Sequence, residues 1–429
     1  MTRDTLTITP ASTIAGTIAV PGDKSISHRY LMLGAIARGR TSIVGLAPGA
    51  DVASTAACLR TLGVHVMHGG DAAMDVAGSG WAGFQASAAS LDAGNSGTSM
   101  RLLAGLVAGR PFRTVITGDA SLSRRPMRRV LAPLSAMGAR VTDSDGHAPI
   151  SIEGGSLAGI AWDSPVPSAQ VKSAIMLAAL SASGTTVVTE PLRTRDHTER
   201  AFPAFGLSCE TAGMTISVPG SQQATAPREV LRVPGDPSSA AVWAAAAAGL
   251  GGSVRLENVC LNPRRIGFVR VLERMGARIT IDEQRLVAGE PVGSLQIAHG
   301  AHLDAVITPE EVPDLVDELP VLAARAALGG SLSVSGASEL RVKESDRITA
   351  LVAGLRALGV EADERPDGFV VRGGVRPGGG TADAAGDHRL VMAFTVAALG
   401  ARGPSRIEDA GAVAVSYPDF ARDLARLVQ

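Results

Sequence analysis

A short helical pattern recurs along the chain: an apolar residue, two further residues, a second apolar residue and then glycine. The spacing places both apolar residues on one helix face, and the glycine is typical of a left-handed helix cap. The five copies are Leu59–Leu62–Gly63, Leu134–Met137–Gly138, Phe202–Phe205–Gly206, Leu272–Met275–Gly276 and Leu355–Leu358–Gly359. Successive glycines are 75, 68, 70 and 83 residues apart, which indicates an internal repeat. Residues 420–428 predict a sixth helix of this kind.

A second series of helices, rich in alanine and leucine, is predicted between these copies. They start near Ser27, Ser99, Ala169, Ser239, Glu318 and Arg389. Because these segments are apolar on nearly all sides, we expect them to be buried. Most are followed by glycine and a β-branched strand, as in GTTVV at 184–188. The repeat unit therefore holds two helices and several strands, and the chain is predicted to be an α/β protein.

The repeats also predict the domain organisation. One unit cannot bury its own apolar faces, so units should pack together into larger domains. A loop-rich segment at residues 221–239 divides the chain near its middle. We therefore predict two pseudo-symmetric lobes of three units each.

Composition and charge exclude several classes of protein. The net charge is −1 and aromatic residues make up 3%, which argues against a nucleic-acid partner. The longest apolar stretch, 240–250, is too short to span a membrane, and the first ten residues lack the apolar region of a secretion signal. Cys58, Cys209 and Cys260 are isolated, as is usual in a reducing compartment. These features predict a cytoplasmic protein with no membrane partner.

Lysine is rare in this chain. Of the 40 basic residues only Lys24, Lys172 and Lys343 are lysines, and the others are arginines. One interpretation is that lysine persists where a compact ammonium is needed, because a guanidinium cannot replace it. The alternative is that each lysine is a remnant without a role. Their neighbourhoods decide between the two.

The polar motifs stand directly before the predicted helices or in their first turns. They are PGDKSISHR (21–29), GNSGTSMR (94–101), SRRPMRR (123–129), PSAQVKSA (167–174), RTRDHTER (193–200), VDELP (316–320), RVKESDR (341–347) and GDHR (386–389). A helix N-terminus has unpaired N–H groups and a positive dipole end, which together favour an anion. Parallel helices would bring several such ends together. We therefore expect a small anionic ligand that carries phosphate or carboxylate.

Ordinary helix capping explains only part of this pattern. Serine caps helices well, and that interpretation is favoured for Ser99 and Ser239. It does not explain the cations at the same ends, because the helix dipole disfavours positive charge there. These cations are Lys24, Arg29, Arg125, Arg195, Lys343, Arg347 and Arg389. Two acids, Asp317 and Glu344, stand among them, either as structural counter-ions or as groups that move protons.

Three other patterns are set aside. The glycines at 78–83 match GxGxxG, but no helix is predicted after them and no acidic residue follows at the distance of a dinucleotide site. The GDKS motif lacks the glycine that precedes lysine in a P-loop. Two histidine pairs lack acidic or thiol neighbours, so a metal site is not expected there. The pairs are His65 with His68 and His299 with His302.

Nine motifs in chain order resemble the 5-enolpyruvylshikimate-3-phosphate synthase family. They are GDKSISHR, LDAGNSGTSMRLL, GDASLSRRPM, SAQVKSA, RDHTER, PDLVDELP, ELRVKESDR, GDHRLVMAF and SYPDF, between residues 21 and 420. SAQVKSA and RDHTER are most similar to the branch called class II. The resemblance implies two lobes, each of three βαβαββ repeats around buried parallel helices, in an arrangement known as an inside-out barrel. It implies one lobe at 22–235 and a second at 1–21 plus 236–429.

The resemblance also implies a reaction. The enolpyruvyl group of phosphoenolpyruvate is transferred to the 5-hydroxyl of shikimate 3-phosphate, and phosphate is released, on the pathway to chorismate and the aromatic amino acids. Both substrates are small anions. No metal, other cofactor or covalent nucleophile is implied, and a monomer is expected.

Matching positions in the motifs imply roles for individual residues. Those expected to bind shikimate 3-phosphate are Lys24, Ser25, Arg29, Ser168, Ala169, Gln170, Arg195, Asp317 and Lys343. Those expected to bind phosphoenolpyruvate are Lys24, Asn95, Gly97, Arg125, Gln170, Arg347 and Arg389. Three of the matching residues are expected to be catalytic. Asp317 would be the base at the 5-hydroxyl and Glu344 the proton shuttle at the methylene carbon, while Lys24 would bridge the two substrates.

The chain departs from the family pattern at a few positions. Val415 stands where some members carry a lysine, and Glu339 stands where an asparagine can contact substrate, so neither contact is carried over. Lys172 could face either the phosphate or the solvent. Gly97, where glyphosate-tolerant relatives have alanine, implies a phosphoenolpyruvate pocket that admits glyphosate.

Two alternative functions stay open at this point. One is the related transferase that acts on UDP-N-acetylglucosamine, which usually carries a reactive cysteine in the loop matching GDASLSRRPM. This chain has no cysteine there. The other is a catalytically silent phosphate-binding scaffold of the same fold, against which Asp317 and Glu344 argue.

Overall fold

A computed structural model describes residues 4–70 and 72–428 of the chain. The chain forms two compact units. Unit 1 takes in the chain up to Pro21, then Pro234–Arg285 and the chain from Pro291 onwards. Unit 2 consists of Gly22–Val233 and the short segment Leu286–Glu290.

The α-helices of the described residues alternate between long buried helices and shorter amphipathic ones. In chain order they are α1 (Lys24–Ile36), α2 (Ala50–Thr61), α3 (Gly97–Val107), α4 (Arg128–Ala136), α5 (Ala169–Ala179), α6 (His197–Ala201), α7 (Pro237–Gly249), α8 (Gly267–Arg274), α9 (Leu319–Ala327), α10 (Arg347–Ala357), α11 (His388–Leu399) and α12 (Phe420–Leu427). Within the described chain, no helix has the length and apolarity needed to cross a membrane.

The strands are mostly short. In chain order they are β1 (Thr5–Ile8), β2 (Thr13–Ala19), β3 (Arg38–Val44), β4 (His65–Gly70), β5 (Ala73–Ser79), β6 (Leu91–Asp92), β7 (Arg113–Thr117), β8 (Arg140–Ser144), β9 (His147–Glu153), β10 (Ala161–Asp163), β11 (Thr185–Thr189), β12 (Glu210–Ala212), β13 (Thr215–Pro219), β14 (Leu231–Arg232), β15 (Gly251–Cys260), β16 (Arg278–Val287), β17 (Glu290–Ala298), β18 (Ala305–Ile307), β19 (Gly330–Val334), β20 (Glu361–Arg365), β21 (Gly368–Gly373), β22 (Thr381–Asp383) and β23 (Ser405–Glu408).

The described strands form six sheets, three in each unit. The sheets of unit 2 have the orders β14-β3-β5-β4, β6-β7-β9-β8 and β10-β11-β13-β12. Those of unit 1 have the orders β16-β17-β15-β2, β18-β19-β21-β20 and β1-β23-β22. Each sheet combines one parallel pair, such as β10 with β11, with antiparallel neighbours, such as β11 with β13. The expected α/β fold of three repeats per lobe is confirmed, and all six of these sheets are open.

The buried helices lie where the apolar segments predicted them. All 13 residues of α7 and all 11 residues of α3 are buried. Helices without a polar face can be stable in water only inside such a core, so the prediction from their composition is confirmed. The amphipathic helices place their apolar face on the core, as Phe420 and Leu427 do in α12.

The glycines that end the amphipathic helices adopt the predicted left-handed conformation. Their φ angles lie between 67° and 113° at Gly63, Gly138, Gly206, Gly276 and Gly359. A residue with a β-carbon is strained at such angles, whereas glycine is not. The recurrence of glycine at this point of each repeat therefore has a backbone cause.

One short segment was not expected in unit 2. The family resemblance implies that Leu286–Glu290 lies in the second lobe, whereas the segment belongs to unit 2. The Glu290 carboxylate lies 2.7 Å from Nδ1 of buried His197, and the Gly289 carbonyl accepts a hydrogen bond from Arg200 at 3.0 Å. These contacts join residues about 90 positions apart, which periodicity along the chain cannot reveal.

Candidate active site

Lys24 is the first residue of α1, which begins after the capping residue Asp23. The Asp23 carboxylate accepts a hydrogen bond from the Ile26 N–H at 2.8 Å. Lys24 Nζ lies 2.8 Å from Oδ2 of Asp51, near the start of α2. Asp51 was not predicted, and it offsets a cation that the dipole of α1 disfavours. The Lys24 side chain remains partly exposed and can meet a ligand.

Arg29, one turn further along α1, is 4% exposed and held by internal oxygens. Its Nε donates to Thr198 Oγ1 at 2.8 Å, its Nη2 to Ser173 Oγ at 2.7 Å and its Nη1 to the Ser25 carbonyl at 2.9 Å. Burial lowers the pKa of Arg29 to about 10, against the opposing effect of nearby carboxylates, Glu199 foremost. Arg29 thus connects Ser25 of α1 to Ser173 of α5 and to Thr198 of α6.

The start of α3 brings Asn95, Gly97 and Arg125 together. Asn95 donates to Asp119 at 2.7 Å and accepts from Arg125 Nη2 at 2.5 Å. A β-carbon at Gly97 would lie 2.8 Å from Nη1 of Arg101 and 3.3 Å from Nη1 of Arg125. Glycine at this position therefore lets two guanidinium groups approach the first turn of the helix.

The start of α5 is connected to the start of α3. The Ser168 hydroxyl caps α5 by accepting from the Val171 N–H at 3.5 Å, and Ala169 and Gln170 follow it. Gln170 accepts from Arg101 and donates to Thr98 Oγ1 at 2.9 Å. Arg101 was not predicted as a site residue, although it ends the GNSGTSMR motif. The predicted convergence of helix N-termini is thus present in unit 2.

Lys172 is buried and does not face the solvent, so that possibility is wrong, while the phosphate alternative is not tested. Its side chain is 3% exposed, and its Nζ lies 3.0 Å from Glu190 Oε2 and 2.7 Å from Glu199 Oε1. Burial alone would lower the pKa of Lys172, but the two carboxylates raise it above its ordinary value. Lys172 is therefore an internal cation that joins α5 to α6 and to the segment before it.

Arg195 lies in that segment, directly before α6, and is half-buried. Its charge is near enough to Arg29 to lower the pKa of that residue further. Two guanidinium groups near each other repel, and a bound anion would relieve that repulsion. Arg195, beside the buried Arg29, is therefore a candidate anion-binding residue of unit 2.

A neutral histidine lies beneath these groups. His28 is completely buried in α1, and its Nδ1 lies 2.7 Å from Thr55 Oγ1, which in turn lies 2.6 Å from Ser99 Oγ. Burial lowers the pKa of His28 to about 3. This network connects α1, α2 and α3.

In unit 1, Arg347 binds three carboxylates although it is 1% exposed. Its Nε donates to Asp387 at 2.7 Å, its Nη1 to Asp317 at 3.4 Å and its Nη2 to Glu344. Burial alone would lower the pKa of Arg347, but these three carboxylates raise it above its ordinary value. Asp387 was not predicted, although it belongs to the GDHR motif.

Asp317 also contacts Arg389. Arg389 Nη1 donates to the Asp317 carbonyl at 3.1 Å, and its Nε lies 3.6 Å from Asp317 Oδ1. Asp317, which precedes α9, therefore contacts two guanidinium groups, those of Arg347, the first residue of α10, and Arg389, the second residue of α11.

Lys343 is close to this cluster. Burial lowers the pKa of Lys343, and the carboxylates of Glu339 and Asp317 oppose that effect. Glu339 lies 3.4 Å from Lys343 Nζ and precedes it by four residues. Glu339 was left without a role at the sequence level, and its spacing of four residues from Lys343 is the signal that could have revealed the ion pair.

Among the residues that the structure describes, no group of three or more histidine, cysteine, aspartate or glutamate side chains is arranged to hold a metal ion. The predicted site residues are divided between the two units. Ten lie in unit 2: Lys24, Ser25, Arg29, Asn95, Gly97, Arg125, Ser168, Ala169, Gln170 and Arg195. Five lie in unit 1: Asp317, Lys343, Glu344, Arg347 and Arg389.

Comparison with known proteins agrees with the motifs. Residues 8–424 match the family model described as EPSP synthase (3-phosphoshikimate 1-carboxyvinyltransferase). A protein of that name from Shouchella clausii is 48% identical over 420 residues, which cover 97% of this chain and 97% of that protein.

Two solved structures are similar to the described fold. EPSP synthase from Acinetobacter baumannii has a TM-score of 0.87 and 40% identity, and the match covers 99% of this chain and 98% of that one. The enolpyruvyl transferase NikO from Streptomyces tendae has a TM-score of 0.79 at 19% identity, with the same coverage. The second similarity concerns the fold alone.

Proposed function

The chain belongs to the EPSP synthase family, and from this premise we propose how its residues divide the work of the reaction. The reaction transfers the enolpyruvyl group of phosphoenolpyruvate to the 5-hydroxyl of shikimate 3-phosphate and releases phosphate. The chain is thus a transferase of shikimate and aromatic amino-acid biosynthesis, and it binds small anionic substrates.

The chemistry defines which groups are needed. A bond forms between the acceptor oxygen and C2 of phosphoenolpyruvate, and the bond between C2 and the phosphate oxygen breaks. Attack at C2 of an enol requires a proton at C3, and restoring the double bond removes a proton from C3 again. The hydroxyl must also lose its proton. One base, one group that moves a proton at C3 and several cations for the two anions are therefore sufficient.

We assign the binding of shikimate 3-phosphate to residues of unit 2. Ser168, the Ala169 N–H and Gln170 at the start of α5 would bind it together with Arg195, because a helix N-terminus and a guanidinium both favour phosphate. The fixed side chain of Gln170 supports this role, since Arg101 and Thr98 hold both ends of its amide. In the first turns of α1, Lys24, Ser25 and Arg29 would hold the carboxylate of this substrate.

The phosphate of phosphoenolpyruvate is assigned to Lys24 and Arg125. Both lie in unit 2, and Arg125 is oriented by Asn95 beside Gly97. Asn95 and Gly97 would line the same pocket. A bidentate guanidinium and a compact ammonium are the usual partners of a phosphate group.

The carboxylate of phosphoenolpyruvate is assigned to Arg347 and Arg389 of unit 1. Both arginines contact Asp317, and this shared contact is the main support for the assignment. Asp317 would be the base at the 5-hydroxyl, and the partly exposed Lys343 would contact the hydroxyls of shikimate 3-phosphate beside it.

Glu344 would move the proton at C3. Its carboxylate accepts a hydrogen bond from Arg347 Nη2, the guanidinium nitrogen that would also meet the substrate carboxylate. A substrate carboxylate on that nitrogen would displace Glu344 from its counter-ion. Binding of phosphoenolpyruvate would then release Glu344 for proton transfer, which couples the proton shuttle to the presence of substrate.

A phosphate-release assay tests the proposed function. The purified protein is mixed with phosphoenolpyruvate and either shikimate 3-phosphate or UDP-N-acetylglucosamine as acceptor. Release with shikimate 3-phosphate alone is the expected result. Release with UDP-N-acetylglucosamine would favour the related transferase, and release with neither acceptor would favour a silent scaffold.

Three further properties stay predictions from the sequence: a monomeric state, a cytoplasmic location and the lack of a nucleic-acid partner. The near-neutral net charge of −1 supports the last of these. Size-exclusion chromatography with light scattering measures the first directly.

A further inference from the structure

The buried ion cluster around Lys172 lies outside the residues to which the reaction was assigned. Lys172 and Glu190 are each 3% exposed at their side chains, and Glu199 is 10% exposed. Thr194 donates a hydrogen bond to the second oxygen of Glu190. Burying three charges has a large desolvation cost, and hydrophobic residues of similar volume would often serve stability equally well. Stability alone is therefore a weak reason for this cluster.

The cluster joins two elements in register. Lys172 of α5 pairs with Glu199 of α6 at 2.7 Å, and the adjacent Ser173 and Thr198 lie within 2.7 Å of each other. Arg29 donates to both hydroxyls of the second pair. A shift of α6 along α5 would break both connections and would release Arg29 from two of its partners.

The same cation also anchors the segment between β11 and α6. Glu190 is the first residue after β11, and its N–H donates to the Met214 carbonyl at 2.9 Å. Lys172 and Thr194 hold its carboxylate. The segment is therefore fixed at both ends by one ammonium group, through Glu190 and Glu199, and Arg195 lies between these two attachments.

The charges of the cluster extend this effect to Arg29. Two carboxylates and one ammonium leave one excess negative charge, and Glu199 is the strongest of the attractions that raise the pKa of Arg29. Without Lys172, the carboxylates would be uncompensated, and Glu199 would attract Arg29 more strongly. Arg29 would then be less available to an anionic ligand.

We propose that Lys172 is a positioning residue, which fixes Arg195 and Arg29 for the anionic acceptor by binding Glu190 and Glu199. The inference rests on the proposed function, in which Arg195 grips shikimate 3-phosphate. It also explains why a lysine is kept here. The ammonium fits between two carboxylates at 2.7 and 3.0 Å, whereas a planar guanidinium is larger and directs its donors differently.

A double-mutant cycle tests the proposal by calorimetric titration with shikimate 3-phosphate. Arg195→Met should weaken binding about 100-fold, as truncation of a charged partner commonly does, and Lys172→Met about tenfold. Because part of the Lys172 effect passes through Arg195, the double variant should lose clearly less affinity than the product of the two single losses. In Lys172→Met, KM for shikimate 3-phosphate should rise about tenfold while kcat and KM for phosphoenolpyruvate change less than about threefold.

Two further variants keep the test decisive. The double variant Lys172→Met with Glu199→Gln keeps the single excess negative charge of the cluster but lacks the ion pair between α5 and α6. It should therefore bind shikimate 3-phosphate as weakly as Lys172→Met does. It replaces Lys172→Met in the test if that single variant does not fold. Arg40→Met removes an exposed cation of unit 2, paired with Asp75 at 2.6 Å, and should bind normally. Native affinity in a folded Lys172 variant, or losses that multiply in the cycle, would overturn the proposal. Native affinity in Arg195→Met would instead overturn the proposed binding of shikimate 3-phosphate by Arg195, and the inference about Lys172 with it.

Discussion

Arg347 Nε donates to Asp387 Oδ2 at 2.7 Å, and both side chains are almost completely buried, at 1% and 0% exposure. The same carboxylate caps α11 by accepting from the Arg389 N–H at 2.9 Å. One aspartate therefore fixes the guanidinium of Arg347 and the backbone of Arg389. The two arginines proposed to hold the carboxylate of phosphoenolpyruvate are thus placed relative to each other by a residue that need not touch the substrate.

Asp387→Asn should destabilise the protein and weaken binding of phosphoenolpyruvate. The change keeps the shape but leaves Arg347 short of a buried counter-ion, which typically costs about 3 kcal/mol. Urea unfolding measures the loss, and KM for phosphoenolpyruvate should rise more than KM for shikimate 3-phosphate. Asp363→Asn, in an exposed ion pair with Arg372 at 2.7 Å, is the control and should change neither quantity. Equal effects of both variants would contradict the role of Asp387.

Asp317→Asn should keep the binding of shikimate 3-phosphate but lower turnover by about 100-fold or more, a typical loss for a general base. The amide retains the shape and an acceptor for Arg347 and Arg389, so only the ability to take a proton is removed. Calorimetry measures binding, and phosphate release measures turnover. Near-normal turnover in the folded variant would refute the role of Asp317 as base.

His28 should make the protein sensitive to acid. Its pKa is lowered from 6.5 to about 3 in the folded protein, so the unfolded chain takes up a proton first as the pH falls. The stabilisation is therefore complete above pH 6.5 and is lost toward pH 3, by about 1.4 kcal/mol per pH unit from this group. Urea unfolding between pH 7.5 and 5 measures the slope.

His28→Asn should flatten that slope, whatever it does to stability at pH 7.5, because asparagine does not titrate. His68→Asn is the matched control, since His68 is exposed, and it should keep the native slope. An unchanged slope in the His28 variant would show that other groups cause the acid sensitivity.

Gly97→Ala should weaken inhibition by glyphosate more than it weakens phosphoenolpyruvate. The added methyl group would press on the guanidinium ends of Arg101 and Arg125, at 2.8 and 3.3 Å, and these flexible ends can shift without unfolding the protein. Glyphosate is slightly longer than the substrate, so steric exclusion should discriminate by at least about tenfold, or ~1.4 kcal/mol. Inhibition curves measure both ligands. A native protein insensitive to glyphosate, or equal losses for both ligands, would contradict the prediction.

The sequence predicted those features that depend on neighbours along the chain. The glycine caps, such as Gly63 and Gly276, and the buried helix α7 follow from local periodicity and composition, and the structure confirms them. The placement of cations at helix N-termini could also be predicted from the sequence, whereas the binding of anions there stays a prediction.

The sequence did not predict the residue pairs that only the tertiary fold brings together. Lys172 meets Glu190 across 18 residues, and Arg29 meets Thr198 across 169. Asp387 and Glu199 stood inside recognised motifs, but their partners lie on other helices. The role of such a residue also depends on its burial. Lys172, for example, would be an ordinary surface cation if it lay in a solvated loop. No periodicity within the chain reports such distances.

The most direct test follows the enolpyruvyl group itself. The protein is mixed with shikimate 3-phosphate and phosphoenolpyruvate labelled with carbon-13 at C2, and the label is followed by nuclear magnetic resonance. We expect the label to move into an enol ether on the 5-oxygen of shikimate 3-phosphate, in equal amount to the phosphate released. Label found in pyruvate, as simple hydrolysis would produce, or label that stays in phosphoenolpyruvate would contradict the account.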